Sequence, residues 1–554
     1  MDRPITRRTL LAAGGGALAA MAGLASTGCN EAQTTALIGP ANPVPFVPAL
    51  PQPAVLRSSA GLLEVTLECR MATNQLGNLT ITTPTYNGTI PGPTLRVKPG
   101  DLLRVHLVNN LPANTDPLPA DINIIHHPGT TNLHTHGFHV SPRSPSDNIF
   151  LVIEPGQNST YEFRIPADHP TGTYFYHPHN HSSVATQMWG GMGGCIIVEG
   201  ELDQVPAVAA AQDVVMVFQE IRVNAQGVQP LFDFNTFFAQ TTQHFPVNGL
   251  IQPTIRIRSG EVQRWRLLNS NVTAYINLQL DGHVFNVIAV DGNPVGAPIP
   301  RSPLLLANAN RYDVLVVGGA PGTYQLRKLA FTGQIAPTPE TVLATVVVDP
   351  PAGPAMALPT TIPVPAVLAP VTDAEITGRR QLTFDIQPPP PVPKFEMDMK
   401  QFDPNRVDQT VVLGAVEEWT ITNNTVEDHP LHIHINPFQV VAVNGQPQVP
   451  ALWQDTVNVP AHQSVTIRHR FRDFDGPYVQ HCHILLHECM GMMQVIDVVP
   501  PGLTPREAAR RRREHRRLMA SLPTSRPILD EFCTDPSRAP RRVLHWGPPI
   551  DSGV

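Results

Sequence analysis

The chain of 554 residues is long enough for about three or four domains, each able to bury its own core. Its 60 Pro and 39 Gly, with charged residues at only 15%, suit an all-β protein with many turns and few long helices. A formal charge of −7 and a pI near 6.3 argue against a nucleic-acid partner, and no basic surface interleaved with aromatics is evident.

The N-terminus reads Thr6-Arg7-Arg8-Thr9-Leu10-Leu11 and continues as a weakly apolar Ala/Gly run to Ala25. It resembles a twin-arginine export signal, a route that carries folded proteins. The run is too short and too rich in Gly for the roughly 20 apolar residues of a membrane helix. Ser26-Thr27-Gly28-Cys29 looks like a lipoprotein cleavage site, with Ser26 where an aliphatic residue is usual, so Cys29 is a candidate lipid anchor. Residues 1–29 are therefore read as the signal and 30–60, rich in Pro and Ala, as a linker. The expected location is the periplasm or cell envelope.

An internal repeat sets the architecture. Gly100-Asp101-Leu102-Leu103-Arg104-Val105-His106-Leu107-Val108-Asn109 recurs as Gly260 to Asn269 and again as Gly414 to Asn423, with a Gly-to-Asn spacing of nine each time. Each copy reads as a turn and a strand, preceded by a β-like stretch such as Thr94-Leu95-Arg96-Val97 or Thr254-Ile255-Arg256-Ile257. A second element closes each unit: Gly172-Thr173-Tyr174, Gly322-Thr323-Tyr324 and Gly476-Pro477-Tyr478. Three similar β domains follow, over 61–202, 203–352 and 353–502, with an extension over 503–554.

Counting on from the closing Gly separates the copies. Five residues later stand His177, Arg327 and His481; six later Pro178, Lys328 and Cys482; seven later His179, Leu329 and His483. Upstream, Leu133-His134-Thr135-His136 matches Leu431-His432-Ile433-His434, while the middle copy places Gln279 and Asp281 at the histidine positions. The middle domain has the scaffold without the metal and is read as a spacer.

The His-x-His pairs 134/136, 177/179, 432/434 and 481/483 make eight imidazoles, more than one first-row ion takes, so a multinuclear cluster is expected where the first and third domains meet. In an extended strand His481 and His483 point one way and Cys482, between them, the other. A Cys, two His and a weak axial Met form a blue copper electron-transfer site, and Cys482, His487 and Met492 offer three of these with His429 as the fourth. One peptide thus links two metal centres.

On these motifs the chain resembles a three-domain multicopper oxidase of the laccase type over roughly residues 60–500. The resemblance implies three cupredoxin-like Greek-key β-barrels and four copper ions. His429, Cys482, His487 and Met492 would hold the type 1 ion, and His134 and His432 the type 2 ion. His136, His177, His179, His434, His481 and His483 would hold the two type 3 ions. It also implies that a small-molecule or metal-ion donor is oxidised one electron at a time while O2 is reduced to water. The donor would be a phenol or aromatic amine, the alternatives being Cu(I) oxidation and a non-enzymatic scaffold or copper carrier. Scattered Met397, Met399, Met490 and Met493 form no Met-rich insert of the kind Cu(I) oxidation would favour. The chain is read as a monomer. Met492 at the axial position implies a type 1 potential in the lower part of the family's range.

Water formation consumes protons, which calls for acids at the cluster. Glu488 resembles the family's proton relay, and Asp147 the acid near the type 2 ion, its spacing from His136 stretched by two residues. His126, His127, His139, His169 and His181 are read as supporting or surface residues. Cys69, Cys195, Cys489 and Cys533 could pair in an exported protein, with Cys195 read as a buried strand residue. Thr504-Pro505-Arg506-Glu507 looks like the start of a basic helix running through Arg510, Arg513 and Arg517.

Overall fold

The structure is a computed structural model that describes residues 48–334, 338–388 and 392–504, with 506, 507, 510 and 513. The export leader, Cys29, the first part of the linker and Cys533 lie outside the described residues. Among the described residues no helix is long and apolar enough to cross a membrane.

The protein is all-β, and the three sequence repeats become three pairs of packed sheets. In the first sheet of each pair, the strand after the repeated Gly lies parallel to an earlier strand and antiparallel to a later one. These central strands are Leu102–Asn110, Val262–Asn269 and Val416–Asn423. Their parallel partners are Leu62–Leu76, Gln212–Phe218 and Gly378–Gln387, and their antiparallel partners Asn158–Arg164, Arg311–Val317 and Ser464–Arg470. The second sheets are equally matched. Gly172–His177, Gly322–Leu329 and Gly476–Cys482 each lie antiparallel to a closing strand, Gly194–Val198, Thr341–Asp349 or Met493–Val499.

The repeated Gly and Asn have local reasons. Gly100, Gly260 and Gly414 take φ of +88°, +77° and +89°, the left-handed conformation that a side chain disfavours. Asn109, Asn269 and Asn423 are buried and pin the crossing that follows each strand. Each side-chain oxygen accepts the N–H two residues on, and each amide donates to two carbonyls, those of Gly129 and Ile153, Ala274 and Leu306, or Glu427 and Val459. Such groups are costly to bury unpaired, by about 1–3 kcal/mol each.

Alternation places the cores. Leu103, Val105 and Leu107 point inward in the first domain, as do Trp419 and Ile421 in the third. The middle strand Val262–Asn269 is buried on both faces although it carries Arg264 and Arg266, because a polar seam covers it. Arg264 bonds Asp203 and Asp313 at 2.5 Å each, and Arg266 bonds Asp213 at 2.7 Å.

From residue 48 the supposed linker belongs to the fold. Strand Val55–Arg57 pairs in parallel with Thr94–Val97, and the Leu50 N–H donates to the Thr254 carbonyl at 2.8 Å. Its backbone groups are paired, which a free tether's would not be. At the far end Thr504 and Glu507 form a capping pair: the Thr504 Oγ lies 2.6 Å from the Glu507 carboxylate, and its N–H donates to the same group at 2.8 Å, while most of the basic segment that follows lies outside the described residues.

Candidate metal centre

The strand register aligns the histidine pairs. His134 lies opposite His177, and His432 opposite His481. At the equivalent place in the middle domain Gln279 faces Arg327, and Arg327 is paired with Asp281 at 3.0 Å. The same scaffold thus carries facing histidine pairs twice and an ion pair once.

The eight imidazoles converge in one buried cage. Donor atoms of His179, His434 and His481 lie within 4.8 Å of one another, as do those of His136, His177 and His483, and of His134, His136 and His432. The Nε2 atoms of His179, His434 and His481 are 3.0, 3.1 and 3.3 Å apart. A first-row ion with M–N bonds of about 2.0 Å would hold tetrahedral ligand nitrogens about 3.3 Å apart. Nε2 of His134, Nε2 of His432 and both ring nitrogens of His483 are buried without a hydrogen-bond partner. Burial drives the imidazoles of His134, His136, His177, His434 and His483 well below the ordinary histidine range and His179 to about 4, so they stand neutral with lone pairs available. Buried lone pairs converging in this way fit metal ions.

Outer partners fix which nitrogen is offered. The His177 Nδ1–H donates to the Pro178 carbonyl at 2.7 Å, leaving Nε2 free. His134 Nδ1 lies 2.8 Å from Asp147, whose carboxylate also accepts the Thr135 N–H at 2.9 Å. Burial raises the Asp147 carboxyl to about 7. Glu488 is fully buried between two ligands of one triad, with its oxygens 3.0 Å from His481 Nδ1 and 3.5 Å from His179 Nδ1. A cavity of about 470 Å³, lined in part by His181, Glu154, Phe402 and Met493, reaches His179.

Cys482 turns away from the cage. Its Sγ lies 3.4 Å from His429 Nδ1 and 3.8 Å from His487 Nδ1, and those nitrogens are 3.3 Å apart. Met492 is fully buried, and its backbone ties it to both neighbours: its carbonyl accepts the Cys482 N–H at 3.1 Å and its N–H donates to His487 at 2.9 Å. Phe395 stacks on His487 at 4.2 Å, and Thr425 Oγ lies 2.8 Å from His429 Nε2. Burial pushes the thiol well above its ordinary value and His429 down to about 3. A thiolate here needs a cation beside it, and one Cys with two His whose donor atoms lie within 4.8 Å of one another is a donor set that suits copper.

Multicopper oxidase family models match residues 70–116 with 121–203, then 215–350, then 372–502. The chain belongs to the multicopper oxidase family. The multicopper oxidase mco of Staphylococcus haemolyticus is 27% identical over 442 residues, covering 74% of this chain and 83% of that one. The laccase of Bacillus subtilis is 26% identical over 530 residues, 82% and 99% of the two chains. In fold, a Campylobacter jejuni multicopper oxidase described as a metallo-oxidase matches with a TM-score of 0.68 at 24% identity, over 82% and 98% of the chains. As a multicopper oxidase this chain is a copper-dependent oxidoreductase, drawing on a small-molecule or metal donor and O2.

The five other histidines near the motifs of this oxidase have contacts of their own. His127 Nε2 bonds the Asp116 carbonyl at 2.7 Å, and His169 Nδ1 that of Pro170 at 2.9 Å. His139 spans the Ile435 carbonyl and Asp473, His181 meets Asn123 at 3.0 Å, and His126 lines the cavity. Among the described residues Cys69, Cys195 and Cys489, which an exported chain could pair, are buried free thiols that form no disulfide with one another. Met397, Met490 and Met493 are buried in the cores. Sequence reasoning missed Asp455, a buried acid at the bend between the short strands Trp453–Gln454 and Thr456–Val459, which no local pattern singles out.

Proposed function

We propose that this multicopper oxidase oxidises an organic donor one electron at a time at the His429, Cys482, His487 and Met492 site and reduces O2 to water in the eight-histidine cage. The observation that carries this is the peptide His481-Cys482-His483, in which one side chain faces the first site and its two covalent neighbours enter two different triads of the second. We assign one type 1 ion to the cysteine site, a type 2 ion to His134 and His432, and two type 3 ions to the triads His136/His177/His483 and His179/His434/His481. Bound copper supplies the one-electron and multi-electron redox chemistry.

The chain's own residues do the rest. His487 is the most exposed of these ligands, at 5% against 0–1% for the others, so the donor docks at its edge, close to Glu427. Cys482 and its peptide neighbours give the shortest covalent route inward. Burial opposes ionisation of Glu488, but the flanking imidazoles of His481 and His179 hold its carboxyl down at about 2, so it is a carboxylate able to take up and pass on a proton beside the His179/His434/His481 triad. Asp147, which burial raises to about 7, can hold one at His134, towards the four protons that two waters require.

Phenols or aromatic amines are the favoured donors. Of the four scattered methionines Met397, Met490 and Met493 are buried and Met399 alone is exposed, so they form no soft-ligand patch for Cu(I), which is the alternative donor. A non-enzymatic scaffold would have no use for so many unpartnered lone pairs. The leader supports export to the periplasm or cell envelope, with Cys29 as a lipid anchor and a monomeric enzyme. Oxygen uptake measured with a phenol and with Cu(I) tests the reading: uptake with neither donor by the copper-loaded chain overturns it, and uptake with Cu(I) alone transfers it to the metallo-oxidases.

A further inference from the structure

We propose that Asp455, clamped by Arg311 of the middle domain, is a positioning residue that fixes two ligands of the histidine cage, so that the domain without copper ligands takes part in metal binding. The proposal rests on the reading of the cage as the copper cluster.

A carboxylate and a carbonyl can only accept hydrogen bonds, and Asp455 presents one of each to a ligand. Its Oδ1 lies 3.1 Å from His136 Nε2, so that nitrogen carries the proton and Nδ1 keeps the lone pair. That Nδ1 is the atom facing the triad, 3.4 Å from His177 Nε2. The Asp455 carbonyl lies 2.8 Å from His432 Nδ1, which places the proton on Nδ1 and leaves Nε2 bare. One residue therefore selects opposite nitrogens on two histidines, one from each half of the cage. Thr456 Oγ supports both, at 3.3 Å from His136 Nε2 and 3.2 Å from His432 Nδ1.

The middle domain grips residue 455 at both its side chain and its backbone. Arg311, fully buried, meets the carboxylate with both terminal nitrogens at 2.8 and 2.6 Å. The guanidinium is itself held by the carbonyls of Thr173 and Ala309 at 3.2 and 3.1 Å. Asp291 accepts the N–H groups of Asp455 at 3.3 Å, Thr456 at 3.2 Å and Arg311 at 2.9 Å. An interface salt bridge alone would not require the carboxylate to face a ligand as well. The chain also makes room for the clamp: Gly137, next to His136 at φ +83°, is where a Cβ would collide with both Asp455 and Arg311.

The test replaces the pair by apolar residues, Arg311→Met with Asp455→Leu, in the full copper-loaded chain. Such replacements of a buried ion pair are often neutral for stability. Copper retention in the cage is read by chelator competition and the type 2 electron paramagnetic resonance signal, with the blue absorption as internal control. Cage copper held about 10–100-fold more weakly, with the blue absorption and the apoprotein's unfolding midpoint unchanged, is the expected result. Wild-type cage affinity in the folded double variant overturns the proposal. Should that variant not fold, Arg311→Lys decides: it keeps the charge and loses the two-pronged contact, and about tenfold weaker cage binding with an intact blue site is expected. Wild-type binding by Arg311→Lys, or loss of the blue site together with the cage, refutes the positioning role. A wild-type chain that loads copper only at Cys482 sinks the functional reading itself, and this proposal with it.

Discussion

Glu488→Gln separates electron entry from dioxygen reduction. The change keeps the size of the side chain, and His481 Nδ1, 3.0 Å from Glu488, keeps its hydrogen bond to the Cys482 carbonyl at 3.1 Å, so the cage should still load. What disappears is a carboxylate, held against the effect of burial at about 2 by the His481 and His179 imidazoles, able to take up and pass on a proton between two histidines of one triad. A positioned acid–base group contributes about 10²–10⁴-fold. Two features put this case at the low end: Asp147 is a second acid, 2.8 Å from His134, and the cavity that reaches His179 gives water a way in. We expect turnover to fall about 10²-fold, equivalent to about 2.7 kcal/mol of barrier. Stopped-flow is the assay. Anaerobic reduction of the blue site by a phenol should proceed at the wild-type rate, whereas reoxidation by O2 should slow by the full factor and show an enlarged solvent isotope effect. Reoxidation at the wild-type rate, or loss of the blue absorption, would refute the reasoning, since either places Glu488 outside the proton path.

Met492→Leu nearly conserves volume, so stability should change by less than about 1.5 kcal/mol, while the blue absorption persists and the type 1 potential rises; a fall in potential in redox titration contradicts an axial Met. Cys482→Ser should abolish the blue absorption and phenol turnover yet leave cage copper countable by metal analysis. Stripping copper should lower the unfolding midpoint by several degrees in calorimetry, because at about 1,000 times the Kd each occupied site adds about 4 kcal/mol, and re-addition should restore it. Asp147→Asn should slow dioxygen reduction by about tenfold without altering blue-site reduction, measured in the same stopped-flow experiment.

The convergence of the histidine pairs was legible because strand periodicity and internal repetition encode their positions locally. His134 opposite His177, Gln279 opposite Arg327 and His432 opposite His481 are the positions that counting from the repeated Gly aligns. The stretched spacing of Asp147 was harmless, since the turn containing Ser144 to Asn148 folds back and brings the carboxylate to His134. Periodicity states which face a residue occupies, and it is silent on what meets that face from another domain. Arg311 and Asp455 are 144 positions apart, and His136 and Asp455 are 319 apart, so neither contact leaves a local pattern. The same limit hid the docking of residues 48–57 and the fact that, among the described residues, Cys69, Cys195 and Cys489 do not pair with one another.

The arrangement also explains why the middle domain carries an ion pair where its neighbours carry histidines. A histidine half-site works only when a second half closes over it, because the cage depends on water exclusion to keep its imidazoles neutral. The first and third domains close on each other, and the eight cage ligands are 0–1% exposed. The equivalent edge of the middle domain is open: the side chains of Arg327 and Asp281 are 31% and 35% exposed. Histidines there would form half a site facing solvent, free to protonate and to bind stray ions. An exposed ion pair adds no more than about 1 kcal/mol, and it has the merit of holding no metal. What the middle domain retained lies on its buried side, where Arg311 and Asp291 reach across to Asp455.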